Sequence, residues 1–474
     1  MEFRSRINSV IFLVLLCAGF WYLDQVFATE HKFHNTKMAF ARAVDSSDVD
    51  VLFIGSSHVF TSTIPGVVDS YTKANSFNFG SDGLRLELSS VVVEEALKKC
   101  KPKLVAIEVF RGSVAEIETD VSKGFQLRAL DFVSNLTYRK LKRVSQIYQP
   151  REYLAVYSSL IRNHKNWPTL NYKSLYRGLE IDPRKNFFDR GYMGVYSSIH
   201  DSLAEDFKFF RDVLPQSSKA DPYFRAIHIE EIKYLKELSE NHDFELLFYT
   251  APDLWYPWVN KQLYLELDSL VNQYNIPYLN ENEYYEQMDL KIQDFKDASH
   301  LNFYGAIKSS KLLGDFIYEN FDLPDRSADS EWQHRQRDFT NRKLQAIEGK
   351  LMLRDSAMRY LLPELSFSNF EVRQILGRLQ FSFYFNDNSS KYNGKYNLGI
   401  QVFPKKGYEY QRALQSKGKN RGFDNFSFEL KNITRPFVKV LNSEISQIER
   451  VRIFLFDANG YNGVIGNPVI IDDF

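Results

Sequence analysis

The sequence predicts an α/β chain, a doubly wound parallel sheet with a helical insertion, followed by a C-terminal β-sandwich domain. Three observations carry this reading. Short apolar runs alternate with amphipathic helical stretches over residues 48–320. The rhythm breaks over residues 112–220, and beyond residue 360 apolar residues recur at every second position.

The 474 residues divide into two or three domains at roughly 150 residues each. They carry 60 Lys+Arg and 60 Asp+Glu, with 44% hydrophobic and 15% aromatic residues. That composition builds real cores and excludes wholesale disorder. With a net charge of zero there is no basic excess to neutralise phosphates, so a nucleic-acid partner is not expected. Cys17 and Cys100 cannot form a disulfide scaffold or, by themselves, a zinc site.

At the amino terminus, Arg4 and Arg6 precede Ile7–Leu23, an uncharged run at the short end of what crosses a bilayer as a helix. Trp21 and Tyr22 suit an interfacial anchor, and the arginines favour a cytoplasmic amino end. Val26-Phe27-Ala28 also offers a place for signal-peptide cleavage. An anchor over 1–28 is the favoured reading; either alternative exports the rest. Residues 29–47, with His31 and His34, read as a solvated stalk.

The α/β elements follow in order. Val49–Ile54 is a buried strand running into the loop Gly55-Ser56-Ser57-His58. Ser76–Phe79 is a second strand, leading into Gly80-Ser81-Asp82-Gly83. A helix spans about 84–99, with Leu88, Val91, Val92 and Ala96 on one face, and Leu104–Val109 is a third strand. Downstream come a helix over 225–239, a strand over 244–249 ending before Pro252, a helix within 258–274, a strand over 276–279 and a helix over 305–318. Ligands of such sheets bind beyond the carboxyl ends of the strands. The insertion 112–220, rich in Tyr, Phe, Arg and Lys, reads as helical and is either a substrate wall or a solvated excursion. Residues 321–359 read as a charged linker and helix. The sandwich over 360–474 rests on Leu379, Phe381, Phe383 and Phe385, on Phe426, Phe428 and Leu430, and on Val451, Ile453 and Leu455. Turn signals at Asp387-Asn388, Asn393-Gly394, Lys406-Gly407 and Asn459-Gly460 separate the runs.

Two constellations could carry catalysis. Ser57 follows the first strand, where a serine nucleophile needs exposure, a base and nearby backbone N–H groups. Alone it is ordinary loop composition. Asp297-Ala298-Ser299-His300 precedes the last helix, and an Asp three residues before a His can bind its Nδ1–H and leave Nε2 free as a base. Among the nine histidines only His300 has this spacing. A capping role for Asp297 or Ser299 is the alternative.

Together, Ser57, the stretch Asn78-Phe79-Gly80-Ser81-Asp82-Gly83 and Asp297-x-x-His300 resemble the SGNH/GDSL hydrolase superfamily over residues 48–320. The resemblance implies a flavodoxin-like sheet, Ser57 as nucleophile, His300 as base and Asp297 as its orienter. It also implies an oxyanion hole from the backbone of Ser57 and Gly83. Ser56 stands where an Asp is commoner. The third block departs: Glu108-Val109-Phe110-Arg111-Gly112-Ser113 lacks the Asn whose side chain completes the hole, a donor worth around 3 kcal/mol, and Arg111 is the nearest substitute. In this departure the chain resembles membrane-anchored members that handle cell-envelope polysaccharides.

The expectation is an exported serine esterase or O-acyltransferase acting on acyl, chiefly acetyl, esters of an envelope or extracellular polysaccharide. It would need no metal or organic cofactor, and other envelope polysaccharide-assembly proteins could be its partners. The alternative is a catalytically lapsed glycan-binding or scaffold protein of the same fold. A lipase is a smaller third reading.

Overall fold

A computed structural model describes residues 2–29, 40, 49–114, 127, 129–130, 133, 137–162, 164, 188–194, 223–254, 261–344, 350–355, 367–375, 378–385, 396–405, 424–429, 437–444, 448–457 and 464–472. The described residues of 1–195 and 216–333 form one compact unit, and those of 334–474 belong to another.

In the first unit, five parallel strands run β1 (Val51–Gly55), β2 (Ser76–Gly80), β3 (Leu104–Glu108), β4 (Glu245–Thr250) and β5 (Tyr278–Asn280), in the sheet order β2-β1-β3-β4-β5. Successive side chains point to opposite faces, so one face buries Leu52, Ile54, Phe77 and Ile107 and the other Val51, Phe53, Ala106 and Leu247. Both faces are covered, which explains why these strands read as continuous apolar runs rather than alternating ones. Helices Ser89–Leu97, Ala226–His242 and Lys261–Asn272 supply Val92, Leu235 and Leu267 to the first face; Phe303–Asn320 supplies Leu313 and Ile317 to the second.

Four details depart from the sequence reading. The stretch after β1 is not a loop: Ser57–Ser62 is a helix, followed by a second helix at Pro65–Thr72. The insertion, expected to be helical, also holds a two-stranded hairpin, Phe188–Asp189 with Tyr192–Met193. Its turn residue Gly191 has φ +95, and a Cβ there would fall on the carbonyl of Asn78, so only glycine lets the hairpin lie this close to β2. Phe40, inside the segment read as a stalk, is buried edge-on against Phe77 and Phe79, each at 5.1 Å. Finally, Arg326 pairs with Asp50 at 2.7 Å and the Trp332 indole donates to Ala74 O, so the start of the expected linker belongs to the sheet unit. His31 and His34 lie outside the described residues.

Helix α1 (Glu2–Thr29) contains an apolar window, Ile7–Asp24, with a mean hydropathy of 1.8 and none of it buried among the described residues. It is long and apolar enough to cross a membrane, as a signal sequence also can be.

The second unit contains two four-stranded antiparallel sheets. One orders Phe437–Glu444, Arg378–Phe385, Phe367–Ile375 and Lys350–Asp355; the other Asp424–Glu429, Tyr396–Pro404, Ile448–Asp457 and Val464–Asp472. Alternation works as expected: Leu379, Phe381 and Phe383 are fully buried, as are Val451, Ile453 and Leu455. The β region starts ten residues before the expected boundary, at Lys350–Asp355, whose three adjacent apolar residues Leu351, Met352 and Leu353 show no alternation to mark it. The four turn signals and Leu430 lie outside the described residues.

Candidate active site

The site is assembled at the carboxyl ends of β1, β2 and β3 and in the loop before the helix Phe303–Asn320. Ser56 caps the helix that begins at Ser57: its backbone is extended (φ −80, ψ −161) and its Oγ accepts the His58 N–H at 3.2 Å. The far end of this helix is held from β2, where the Asn78 side chain donates to Val59 O and Thr63 O, both at 2.7 Å. Gly55 permits the tight turn, because a Cβ there would lie 2.5 Å from Val59 Cγ2 and 2.8 Å from Glu108 Cβ.

His300 sits in a loop bounded by an antiparallel bridge between Phe295 and Leu301. Lys296 N–H donates to His300 O at 2.8 Å, and Leu254 N–H donates to Ala298 O at 2.9 Å. Asp297 Oδ1 accepts the backbone N–H groups of Ser299 and His300, each at 3.0 Å. The next helix is capped by Asn302, whose side chain accepts from Tyr304 N and Gly305 N, so neither Asp297 nor Ser299 serves as that cap.

The consequence is a connected triad. Ser57 Oγ lies 2.7 Å from His300 Nε2, across 243 positions of sequence, and His300 Nδ1 lies 2.8 Å from Asp297 Oδ1. Partial burial works against a charge on Asp297, but the His300 bond, the charge of His300 and the Ser299 N–H hold its carboxyl well below the usual range. An ionised Asp297 keeps the proton on Nδ1 and leaves Nε2 to accept from Ser57. Chemically, the array is the geometry in which an imidazole could take a serine proton as the hydroxyl attacks an electrophile.

Gly83 (φ +63) lies in the turn after β2, and Arg111 opens a one-turn helix, Arg111–Val114, after β3. Both are exposed, past the ends of the two strands that flank β1. Among the described residues, no cluster of three His, Cys, Asp or Glu could hold a metal ion.

Sequence reasoning did not single out the buried groups beneath the triad. Glu108, the last residue of β3, is fully buried and accepts from Ser56 Oγ at 3.1 Å and Ser56 N at 3.4 Å. Burial pushes its carboxyl up to about 8 against those two bonds, with Asp253 adding to the rise. His58 stacks on Phe110 at 3.8 Å, its ring 4.9 Å from that of His300. Burial, then the charge of His300, hold His58 well below the usual imidazole range, against the pull of Asp297. Glu281, after β5, is likewise pushed by burial up to about 8, with Ser309 donating to it at 2.5 Å. The one sequence signal was Glu108 itself, an acid inside an otherwise apolar strand.

No protein-family model matches the chain, and a comparison with curated proteins finds no match.

Proposed function

We propose that this chain is an exported, membrane-anchored serine esterase or O-acyltransferase of the SGNH/GDSL kind, acting on acyl, chiefly acetyl, esters of a cell-envelope or extracellular polysaccharide. The observation that carries the reading is the Ser57–His300–Asp297 array, with its 2.7 Å and 2.8 Å contacts. Supporting it are the strand order β2-β1-β3-β4-β5 and the position of Ser57 directly beyond the first strand.

In this mechanism Ser57 Oγ bonds to the ester carbonyl carbon while its proton passes to His300 Nε2. The oxyanion is held by the N–H groups of Ser57 and Gly83, with Arg111 the nearest side chain to replace the absent Asn. His300 returns the proton to the leaving sugar oxygen as the C–O bond breaks, which leaves an acyl-serine. Water or a second hydroxyl then attacks that carbonyl, giving its proton to His300, which passes it to Ser57 Oγ as the acyl–Oγ bond breaks. Hydrolysis and transfer differ only in the acceptor. The two antiparallel sheets of residues 350–472 are read as a sandwich that binds glycan, and aromatic residues of the insertion as sugar-stacking surface.

The test is reaction of the full chain, in detergent, with a fluorophosphonate serine probe and with p-nitrophenyl acetate, with and without a panel of glycans. Labelling lost in Ser57→Ala supports the nucleophile. Acetylated glycan as product identifies a transferase. A folded chain that neither labels nor turns over ester moves the reading to the lapsed glycan-binding scaffold, which the missing third-block Asn favours.

A further inference from the structure

Among the buried polar groups that the array does not use, Glu108 is the one bonded to the residue before the nucleophile. Glu108 is almost wholly removed from solvent, and its Oε1 has no hydrogen-bond partner among the described residues, while its Oε2 takes both the N–H and the Oγ–H of Ser56. A buried acid with an unsatisfied oxygen costs stability, and such a cost persists where the group does something the fold alone does not require. Its neighbours indicate what. Ser56 caps the helix whose first residue is Ser57, so the carboxyl is one residue removed from the nucleophile. Gly55 is required by the same contact, since a Cβ there would lie 2.9 Å from Glu108 Oε2. Parallel pairing of β1 with β3, Ile54 opposite Ile107, fixes the height of Glu108 against this turn.

We propose that Glu108 is a positioning residue for the nucleophile: through Ser56 it sets how the chain enters the helix at Ser57, and so the aim of Ser57 Oγ at His300 Nε2. It touches no reacting atom. A displacement of well under 1 Å at Ser57 would lengthen a 2.7 Å contact beyond useful proton transfer, which is why a small change in the turn matters. The inference rests on the reading of Ser57 as nucleophile.

The variants are Glu108→Gln, Glu108→Ala, Ser56→Ala and the double alanine, each as the full chain. The assay is p-nitrophenyl acetate turnover, with the imidazole NH signals of His300 followed by NMR. A glutamine keeps an oxygen for Ser56, so Glu108→Gln is expected to hold kcat within a few-fold of the parent. Glu108→Ala is expected to lower kcat more than tenfold with KM little changed, to shift the His300 signals, and to add nothing to Ser56→Ala, because the two act as one unit. Parental kcat in folded Glu108→Ala overturns the proposal. So does Glu108→Gln failing as badly as alanine, which would mean that the acid rather than the bond matters; as the conservative change, it also decides the matter should the alanine variant misfold. A parent chain with neither turnover nor probe labelling defeats the esterase reading instead. In that case the His300 signals alone decide the positioning role: a shift in Glu108→Ala but not in Glu108→Gln supports it, and no shift in either overturns it.

Discussion

Asp24, the residue that closes the apolar window of the first helix, accepts hydrogen bonds from Ser158 Oγ at 2.7 Å and from Leu160 N at 2.9 Å. Ser159 Oγ donates to the backbone carbonyl of Asp24 as well. The end of this helix is thus bonded to the start of the helix Ser159–Arg162 in the insertion. Cleavage after Ala28 would remove the acceptor of all three. An intact chain is therefore expected to stay with membranes through a carbonate wash and to begin at Met1. Recovery of a soluble chain beginning at Thr29 would overturn the anchor and leave only export.

For the triad, Ser57→Ala and His300→Ala are each expected to lower ester turnover by about 10⁶-fold, and the double variant to be no worse than either. Asp297→Asn is expected to cost less, on the order of 10⁴-fold, because an imidazole without its orienter still samples the productive tautomer. Turnover of an activated acetyl ester, with circular dichroism as the folding control, measures all of these. Parental turnover in folded His300→Ala would remove the mechanism.

The buried acids give the fold a pH dependence. Glu108 and Glu281 are raised from 4.5 to about 8. Between those values the folded chain binds more protons than the unfolded chain, so stability falls as pH rises from about 4.5 to 8. Each group contributes at most about 1.4 kcal/mol per pH unit across that window. Glu108→Gln is expected to flatten the fall and to be more stable than the parent at pH 8. Urea unfolding at pH 5 and pH 8 checks the sign, and a parent that gains stability toward pH 8 would contradict it.

The insertion is pinned by charge. Glu231 on Ala226–His242 takes Arg139 at 2.6 Å, together with Arg143, both from the helix Tyr138–Ile147, and its other oxygen accepts Ser90 N–H at 2.6 Å. Removing one partner of such a buried group leaves the others uncompensated. Glu231→Ala is expected to destabilise the sheet unit by about 3–5 kcal/mol and to make Tyr138–Ile147 an early site of proteolysis. A shift of the urea midpoint worth less than about 1 kcal/mol would show that solvent reaches the arginines.

Much of the sheet was legible because a strand buried on both faces leaves a run such as Leu104–Val109 with hardly another reading. Asp297 and His300 were legible as a pair because their contact is local. The helix at Ser57–Ser62 was not. Val59 and Thr61 are β-branched and favour strands, and what makes the segment helical is the Ser56 cap together with Asn78 reaching back from the neighbouring strand. Glu108 was hidden for the same reason: its meaning depends on β3 lying beside β1, a fact of sheet order that no window of sequence contains.

If Ser57 is the nucleophile proposed above, the 243 positions between it and His300 give its chemistry a timing. A chain synthesised amino end first presents this hydroxyl long before the imidazole. Until the loop at Asp297–His300 arrives and seats against β1, the serine is an ordinary alcohol, inert toward the esters around it. On that reading, reactivity would be a property of the finished molecule alone.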